Sequence, residues 1–419
     1  MSDKSWQFHP DRNNLIAEAH ARPSQNISAP AQVLQVAFRC NKAIREAFFS
    51  VLDPSENAST LRHVSNDVNG VRIKLERHTE FMSCTLFRDM NTEDNLHTLA
   101  DFFHETFPTD EIETLVLLQV DVVTTTAKML KLLPLTERIY GGKIRAQIDV
   151  RSTFKPDETG CVRFVVHGRK LTGDELGRRL QRLVEMETYR TMSLLGLAKA
   201  REVGVRLLEY EDQLDALTQS LRGERESTSS DDESLFEKLS ALSEKNNILA
   251  SEIRYRFAAS RAYYALFDQR ITSLEEEKVG DVQTMSGFLR SRLEPAIATI
   301  ESTAKRQETL TNDLSRALTL LRTRIELNLN KGNQALLQSM DRRHDQQLKI
   351  SRTVEGLSVV AITYYAVGLM SYLLKALAKQ PWMPFSETIL TAISVPFILI
   401  IVWFSLHRIR NAWEDQYEK

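Results

Sequence analysis

The sequence predicts an α+β fold with an N-terminal mixed or antiparallel sheet domain, a long-helix bundle or stalk, and a two-helix transmembrane hairpin at the C-terminus. Three observations lead to this prediction. Strand-like segments fill residues 1–170, apolar residues at helical spacing dominate residues 171–352, and two uncharged apolar runs lie within residues 353–419. Because the chain has 419 residues, more than one structural unit is expected.

Alternating apolar and polar side chains indicate strands in residues 1–170, which we assign to a cytosolic α+β domain. Residues 71–75 read VRIKL, and such a period of two is typical of a strand with one buried face. Gly141-Gly142 predicts a turn between strands. The predicted strands are Ala31–Phe38, Val71–Arg77, Met82–Phe87, Leu115–Val123, Lys143–Arg151 and Val162–His167, and the predicted short helices are Asp11–Ala21, Asn41–Leu52 and Asn95–Thr106.

A pair of long helices is predicted over residues 171–278. Gly173-Asp174 is typical of a helix start, and the leucines after it recur every three or four residues. A polar stretch near residues 223–234 lacks large apolar side chains and predicts a linker between the two helices. A third helix, the stalk, is predicted over residues 281–352.

The stalk carries a stripe of apolar residues on one face. Many of them are separated by 11 residues, which corresponds to about 3.67 residues per turn and a nearly straight helix. Such a stripe requires partner helices, either the two earlier helices of this chain or the same helix in other subunits. The stripe consists of Leu310, Leu314, Leu318, Leu321, Ile325, Leu329, Leu336 and Met340.

The two C-terminal runs predict a membrane anchor over residues 353–419 with a short basic tail. Leu357–Leu374 and Ile389–Leu406 contain no charged residue, and each would extend about 27 Å as a helix, close to the hydrocarbon thickness of a bilayer. The short connection contains Pro381 and Pro384 and has room only for a turn, so the two helices form a hairpin. A buried hairpin in a soluble core is the alternative.

The distribution of lysine and arginine orients this hairpin. Basic residues flank the spans on the side of both termini, whereas Lys375 and Lys379 lie in the connecting loop. By the positive-inside rule, we expect a multi-pass protein of the cell inner membrane with both termini in the cytoplasm. The residues expected to meet lipid headgroups are Arg342, Arg343, Lys349, Arg352, Arg408 and Arg410.

Composition and motifs argue against several classes of function. The net charge of -2 gives no electrostatic basis for binding nucleic acid. The three cysteines lie far apart and are expected to be reduced. The first residues lack a basic segment followed by an apolar run, so no signal peptide is expected. Neither a phosphate-binding loop nor a nucleophile motif is present, so the sequence predicts no enzyme and no catalytic residue.

One cluster of residues could hold a divalent metal ion as a cofactor. His9, Asp11, Glu18 and His20 lie within one short segment. On a continuous helix, the two imidazoles would fall on nearly the same face and could bind zinc or another divalent ion together with a carboxylate. Alternatively, Pro10 starts the helix and leaves His9 at its edge, and the segment forms a surface or interdomain contact.

Small and polar residues share one face of the first predicted span. Ala361, Tyr364, Gly368, Ser371 and Lys375 follow one another at spacings of three or four. This face either lines a pore or contacts another helix. In the second case, Ala361 and Gly368 would permit close packing against the second span.

Two patches of sequence are distinctive. One patch comprises His9-Pro10, Glu18, His20-Ala21-Arg22-Pro23 and Ala29-Pro30, and the other runs from Thr353 to Tyr365. Together they resemble a bacterial family of uncharacterised membrane-anchored proteins that is defined by a domain of unknown function. The resemblance covers nearly the whole chain and implies a location in the bacterial inner membrane.

The order of the elements also resembles that of the CorA-type divalent-cation channels. In that family an N-terminal α/β domain precedes long helices and two C-terminal spans, and the resemblance implies a pore lined by the first span of each of five subunits. That family ends its first span with a Gly-Met-Asn motif. Here the corresponding residues 368–372 read GLMSY, and Lys375 and Lys379 follow in the loop.

These features predict a non-enzymatic interaction or assembly platform at the inner membrane. The expected partners are the lipid bilayer and further copies of the chain, which would form a homo-oligomer through the stalk helices. No nucleic-acid partner is expected. The alternative is a CorA-like ion channel or transporter.

Overall fold

The computed structural model describes residues 8–12, 16, 24–54, 62–90, 98–134, 136–168, 171–223, 229–377 and 387–417. Within these residues a mixed sheet is followed by long helices, which confirms the predicted α+β fold with an N-terminal mixed sheet. The chain divides into two compact units. The first comprises Met1–Ser227 and Glu233–Thr319, and the second comprises Thr228–Asp232 and Leu320–Lys419.

Nine strands in the described part of the chain form one sheet. The strands are β1 (Ala31–Arg39), β2 (His63–Val68), β3 (Val71–Arg77), β4 (Met82–Asp89), β5 (Glu113–Val123), β6 (Tyr140–Ile144), β7 (Ile148–Pro156), β8 (Val162–Gly168) and β9 (Glu276–Lys278). Their order in the sheet is β2-β3-β4-β1-β5-β8-β7-β6-β9. Neighbouring strands are antiparallel, except for the parallel pair β5 and β8.

The helices fall into a short group and a long group. The short ones are α1 (Lys42–Leu52), α2 (Leu99–Thr106) and α3 (Thr126–Leu132), and the long ones are α4 (Gly173–Gly223), α5 (Ser229–Ser273), α6 (Met285–Leu377) and α7 (Glu387–Tyr417). Side chains cap all three short helices, and before α3 the Thr125 hydroxyl accepts a hydrogen bond from the amide of Lys128. Asn41 accepts a hydrogen bond from the amide of Ile44, and Thr98 forms a capping box with Asp101.

Each face of the sheet packs against a different set of helices, because successive side chains of a strand point to opposite faces. In β1, Leu34, Val36 and Phe38 belong to a core with Phe48 of α1 and Phe103 of α2. The intervening residues Val33 and Ala37 belong to a second core. That core also contains Leu180 and Leu183 of α4, Phe267 of α5 and Leu289 of α6. The first part of the long helices and the sheet therefore share one core in the first unit.

Most of the predicted strands are confirmed to within two residues at each end, and β3 matches Val71–Arg77. The predicted strand Lys143–Arg151 is wrong, because the chain turns there. Arg145 and Ala146 adopt positive φ angles of 49° and 56°, and the turn joins β6 to β7. Ile144 and Ile148 both face the helix core, so the apolar alternation continues through the turn and conceals it.

The predicted turn at Gly141-Gly142 is also wrong, since both glycines lie inside β6. Two strands were not predicted at all. β2 reads HVSNDV and β9 reads EEK, and these polar strands form the two edges of the sheet. Polar and charged side chains on edge strands discourage pairing with other chains, so edge strands lack the apolar pattern that sequence analysis detects.

Two of the predicted short helices are confirmed, the second of them over its described part. Lys42–Leu52 confirms the helix predicted at Asn41–Leu52, and Leu99–Thr106 confirms the end of the helix predicted at Asn95–Thr106. Most of the predicted helix Asp11–Ala21 lies outside the described residues, as do residues 95–97. The predicted limit between stalk and first span, near residue 352, lies inside α6.

Gly196 and Gly204 of α4 provide a matched test of helix packing. Gly196 is buried, and a Cβ atom there would lie 2.5 Å from Ser260 Oγ and 3.2 Å from Ile300 Cδ1, whereas a Cβ atom at Gly204 would meet nothing within 4 Å. We expect Gly196→Ala to reduce the free energy of unfolding by about 1–3 kcal/mol through overpacking. Gly204→Ala should raise it by about 0.5–1 kcal/mol through helix propensity. Chemical denaturation of the purified chain measures both, and equal effects would contradict this packing.

Candidate functional site

The apolar part of α6 has almost no protein cover. Its most apolar 18-residue window has a mean hydropathy of 1.7, and only 6% of that window is buried. Leu369, for example, is 70% exposed. Within the described residues, α6 is the one helix that is long and apolar enough to cross a membrane. In α7 the described apolar segment, Thr391–Ser405, is shorter, so the predicted two-helix hairpin is not confirmed.

The predicted pore or helix-contact face lies on this uncovered segment. Ala361, Tyr364 and Lys375 are exposed, and Ser371 Oγ donates a hydrogen bond to the Gly368 carbonyl at 2.7 Å. A Cβ atom added to Gly368 would meet nothing within 4 Å. The close packing on a second span that would explain this glycine is therefore not seen among the described residues. Whether the face lines a pore or contacts another helix stays a prediction.

Basic side chains flank the apolar segments and are accessible. Arg342, Arg343, Lys349 and Arg352 are exposed along α6 before its apolar part. Arg408 is exposed near the end of α7, and the side chain of Arg410 lies outside the described residues. These cations are free to meet an anionic surface.

The apolar stripe of α6 is covered along only half of its length. Leu310, Leu314 and Leu321 are buried, whereas Leu336 and Met340 are 65% and 66% exposed. Leu329 is exposed as well, and Leu318 and Ile325 are half-buried. Partner helices from the same chain therefore account for the first half of the stripe and leave the second half uncovered.

The cover of α6 ends in the second unit near the start of α5. Asp232, in the first turn of α5, is buried and lies 3.4 Å from Arg324 Nε. Asn328 Nδ2 donates a hydrogen bond to the same carboxylate at 3.3 Å. Because α5 begins at Ser229, the apolar residues of α6 that follow Asn328 lie beyond this contact.

The predicted metal ligands are not brought together in the part of the chain that the structure describes. His9 Nδ1 lies 3.9 Å from Asp11 Oδ2, and both side chains are exposed. Glu18 and His20 lie outside the described residues. Among the residues that are described, no group of three or more histidine, cysteine, aspartate or glutamate side chains could hold a metal ion.

The three cysteines are free. Burial raises the pKa of the Cys40 and Cys84 thiols above the ordinary value. Burial, followed by the nearby Asp157 carboxylate, raises the pKa of Cys161 to about 11. All three thiols are therefore protonated at neutral pH, which is the state expected of structural rather than nucleophilic cysteines.

A polar cleft lies between the sheet and α4 in the first unit, and the sequence analysis missed it. Its sheet wall is formed by β1, β3 and β4, where Thr85 is the cross-strand partner of both Gln35 and Lys74. All three side chains are buried. Thr85 Oγ1 donates to Gln35 Oε1 at 2.5 Å, and Lys74 Nζ lies 3.4 Å from Glu76 Oε1.

The opposite wall of the cleft comes from one face of α4. Gly177, Gln181, Val184 and Glu185 lie on this wall at helical spacing. Gln181 Nε2 donates to Glu185 Oε1 at 2.8 Å, and Glu185 also forms an ion pair with Arg270 of α5. The cleft opens to solvent at its mouth, and the centre of a water molecule can occupy about 40 Å³ of the space between the walls.

These observations define the class to which the chain belongs: α+β proteins with a mixed sheet, long helices and one helix able by length and composition to cross a membrane. The chain belongs to the family of proteins of unknown function called DUF3422, whose model matches residues 7–413. No curated protein matches it. Among solved structures, the full-length CmaX protein is similar over 92% of this chain and 100% of its own, with 12% identity and a TM-score of 0.15. A TM-score this low carries no argument about the fold.

Proposed function

We propose that this protein is anchored in the inner membrane by its C-terminal helices and acts on the cytosolic side as a non-enzymatic interaction or assembly platform. The observation that carries the proposal is the uncovered apolar segment of α6. Each large apolar side chain left in water forgoes about 1.5–3 kcal/mol relative to burial. A helix in a soluble core would be covered by protein, whereas a lipid-facing helix needs no such cover.

The basic residues support a particular orientation. Arg342, Arg343, Lys349 and Arg352 precede the apolar segment of α6, and Arg408 follows that of α7. Anionic headgroups of the cytoplasmic leaflet attract such side chains by about 1 kcal/mol each. A multi-pass topology with both termini in the cytoplasm places all of them at that leaflet. Reporter fusions at the two termini test this orientation, and an external location of either terminus would contradict it.

Homo-oligomerisation through α6 is the second part of the proposal. The uncovered half of the stripe, with Leu329, Leu336 and Met340, is an exposed apolar face of α6. Copies anchored in one membrane have the same orientation, so their α6 helices can meet along the same residues. Each copy then buries the stripe of its neighbour.

We expect Leu336→Glu with Met340→Glu to lower the subunit count of the detergent-extracted protein to one. Two charges on the shared face would have to be buried without a partner. Gln334→Glu with Gln338→Glu is the matched control, since these exposed residues lie on the opposite side of the helix and add the same charge. Native mass spectrometry measures the subunit count. A wild-type monomer, or an equal loss in the control, would contradict association through this face.

A CorA-like channel or transporter is the alternative function. The feature that favours it is the uncovered face of Ala361, Tyr364 and Gly368, which is available to line a space between subunits. A pentamer or another closed ring would make this alternative the leading one. Ion flux into proteoliposomes, compared between wild type and variants of Gly368 and Ser371, would then decide between channel and platform.

A further inference from the structure

The polar cleft between the sheet and α4 lies where the fold could have had an ordinary apolar core. On the same face of the sheet, Val33 and Leu118 belong to one apolar core with Leu180 and Leu183 of α4. One side of that helix therefore meets an apolar surface, and the adjacent side meets the cleft. Polar side chains interrupt the apolar surface on both walls, Gln35 and Lys74 on the sheet and Gln181 on α4, which ordinary core packing does not require.

The buried polar groups of the cleft are costly to the fold. The Lys74 side chain is 7% exposed, and its ion-pair partner Glu76 is 15% exposed. Removing such a pair from water commonly costs more free energy than the attraction between the two charges contributes. Proteins with apolar replacements of similar volume are often more stable. A partly enclosed space with a few converging polar groups on apolar walls is the usual form of a small-molecule site. Phe87 and Val184 supply apolar surface in this cleft.

The charges on the walls indicate what kind of molecule would fit. Lys74 contributes a cation, whereas Glu76 and Glu185 contribute anions, and Arg270 pairs with Glu185. Arg270 does not itself line the cleft, but its ion pair neutralises the Glu185 carboxylate, so these charges cancel. A ligand with a single charge would meet a neutral cleft and lose its hydration, whereas a ligand with both charges has a partner for each.

We propose that this cleft binds a small zwitterion of the free amino-acid class. The ligand carboxylate would lie at Lys74 and at the amide group of Gln35, whose Oε1 already accepts from Thr85. The ligand ammonium group would lie towards Glu76 and Glu185. This site is independent of the membrane anchor and of the subunit count, so the proposed function can fail without affecting it.

Calorimetric titration of the detergent-solubilised full-length chain with glycine, L-alanine and L-serine tests the proposal. We expect saturable binding of at least one of them, and at least about tenfold weaker binding of acetate and methylammonium, which each carry one of the two charges. No binding of the three amino acids up to about 10 mM would overturn the proposal. Equal binding of acetate or methylammonium would overturn the zwitterion assignment.

Variants of the walls locate the site. Lys74→Met with Glu76→Gln removes both charges and leaves neither buried alone, and it should weaken amino-acid binding at least about tenfold. Lys305→Met with Glu308→Gln is the matched control, because that exposed pair lies 2.9 Å apart on α6 and should bind like wild type. If the first variant does not fold, Gln35→Met removes the amide donor, together with the oxygen that accepts from Thr85, and should weaken binding about fivefold. Wild-type affinity in a folded wall variant would overturn the assignment to this cleft.

Discussion

Ile362→Arg with Leu369→Arg is expected to reduce the fraction of the full-length protein that stays in the membrane after alkaline carbonate, because only the α7 segment would then remain to hold it. Both residues lie in the apolar segment of α6, seven positions apart and therefore on nearly the same face, and both are exposed. A charged side chain near the centre of a spanning helix costs about 2.5–3.5 kcal/mol on insertion scales. Two of them should cost about 5–7 kcal/mol, which is enough to prevent stable insertion of this segment.

The control for this experiment places the same charges outside the apolar segment. Gln334→Arg with Gln338→Arg changes two exposed residues of the same helix, and the protein should remain in the carbonate-resistant fraction. If carbonate released the wild-type protein, the membrane anchor would be wrong. If the double variant in the apolar segment resisted carbonate as well as wild type does, the attachment of the protein to the membrane would not depend on the apolar segment of α6.

Sequence analysis found the strands in which apolar side chains lie on a buried face of the sheet and alternate with polar ones. In β3 the residues Ile73 and Leu75 alternate with polar ones and are fully buried on one face of the sheet. The same alternation misled the interpretation of the other face. Lys74 belongs to the polar set, which alternation alone assigns to solvent, yet α4 covers it. A cleft between two layers depends on tertiary packing. The alternation of residues along one strand carries no information about that packing.

The apolar stripe of α6 illustrates a second limit of sequence analysis. The spacing correctly identifies residues that share one face, because helix geometry fixes that relation. It does not identify where the partner from the same chain ends. That point depends on where α5 begins, at Ser229, and on the contact of Asp232 with Arg324. The polar segment before α5 therefore determines where the cover of α6 ends. Leu321 is buried and Leu336 is exposed, although both residues follow the same apolar spacing.

Gly141→Ala is expected to reduce the free energy of unfolding by about 3 kcal/mol or more. Gly141 is buried within β6 and has a φ angle of +151°. A Cβ atom there would overlap the Val150 carbonyl oxygen of β7 and lie 3.1 Å from Arg151 Cα. These are backbone atoms of a paired strand, so no side-chain rotation relieves the overlap, and β6 or β7 must move.

Gly70→Ala separates the backbone strain of this substitution from the overlap. Gly70 also has a positive φ angle, +76°, but a Cβ atom there would meet nothing within 4 Å. Its replacement should cost only about 1–2 kcal/mol, the strain of a left-handed conformation. Chemical denaturation of both variants against wild type measures the difference. If Gly141→Ala cost no more than Gly70→Ala, β6 and β7 would not approach each other this closely, and a turn at Gly141-Gly142 would again be the better interpretation of the sequence.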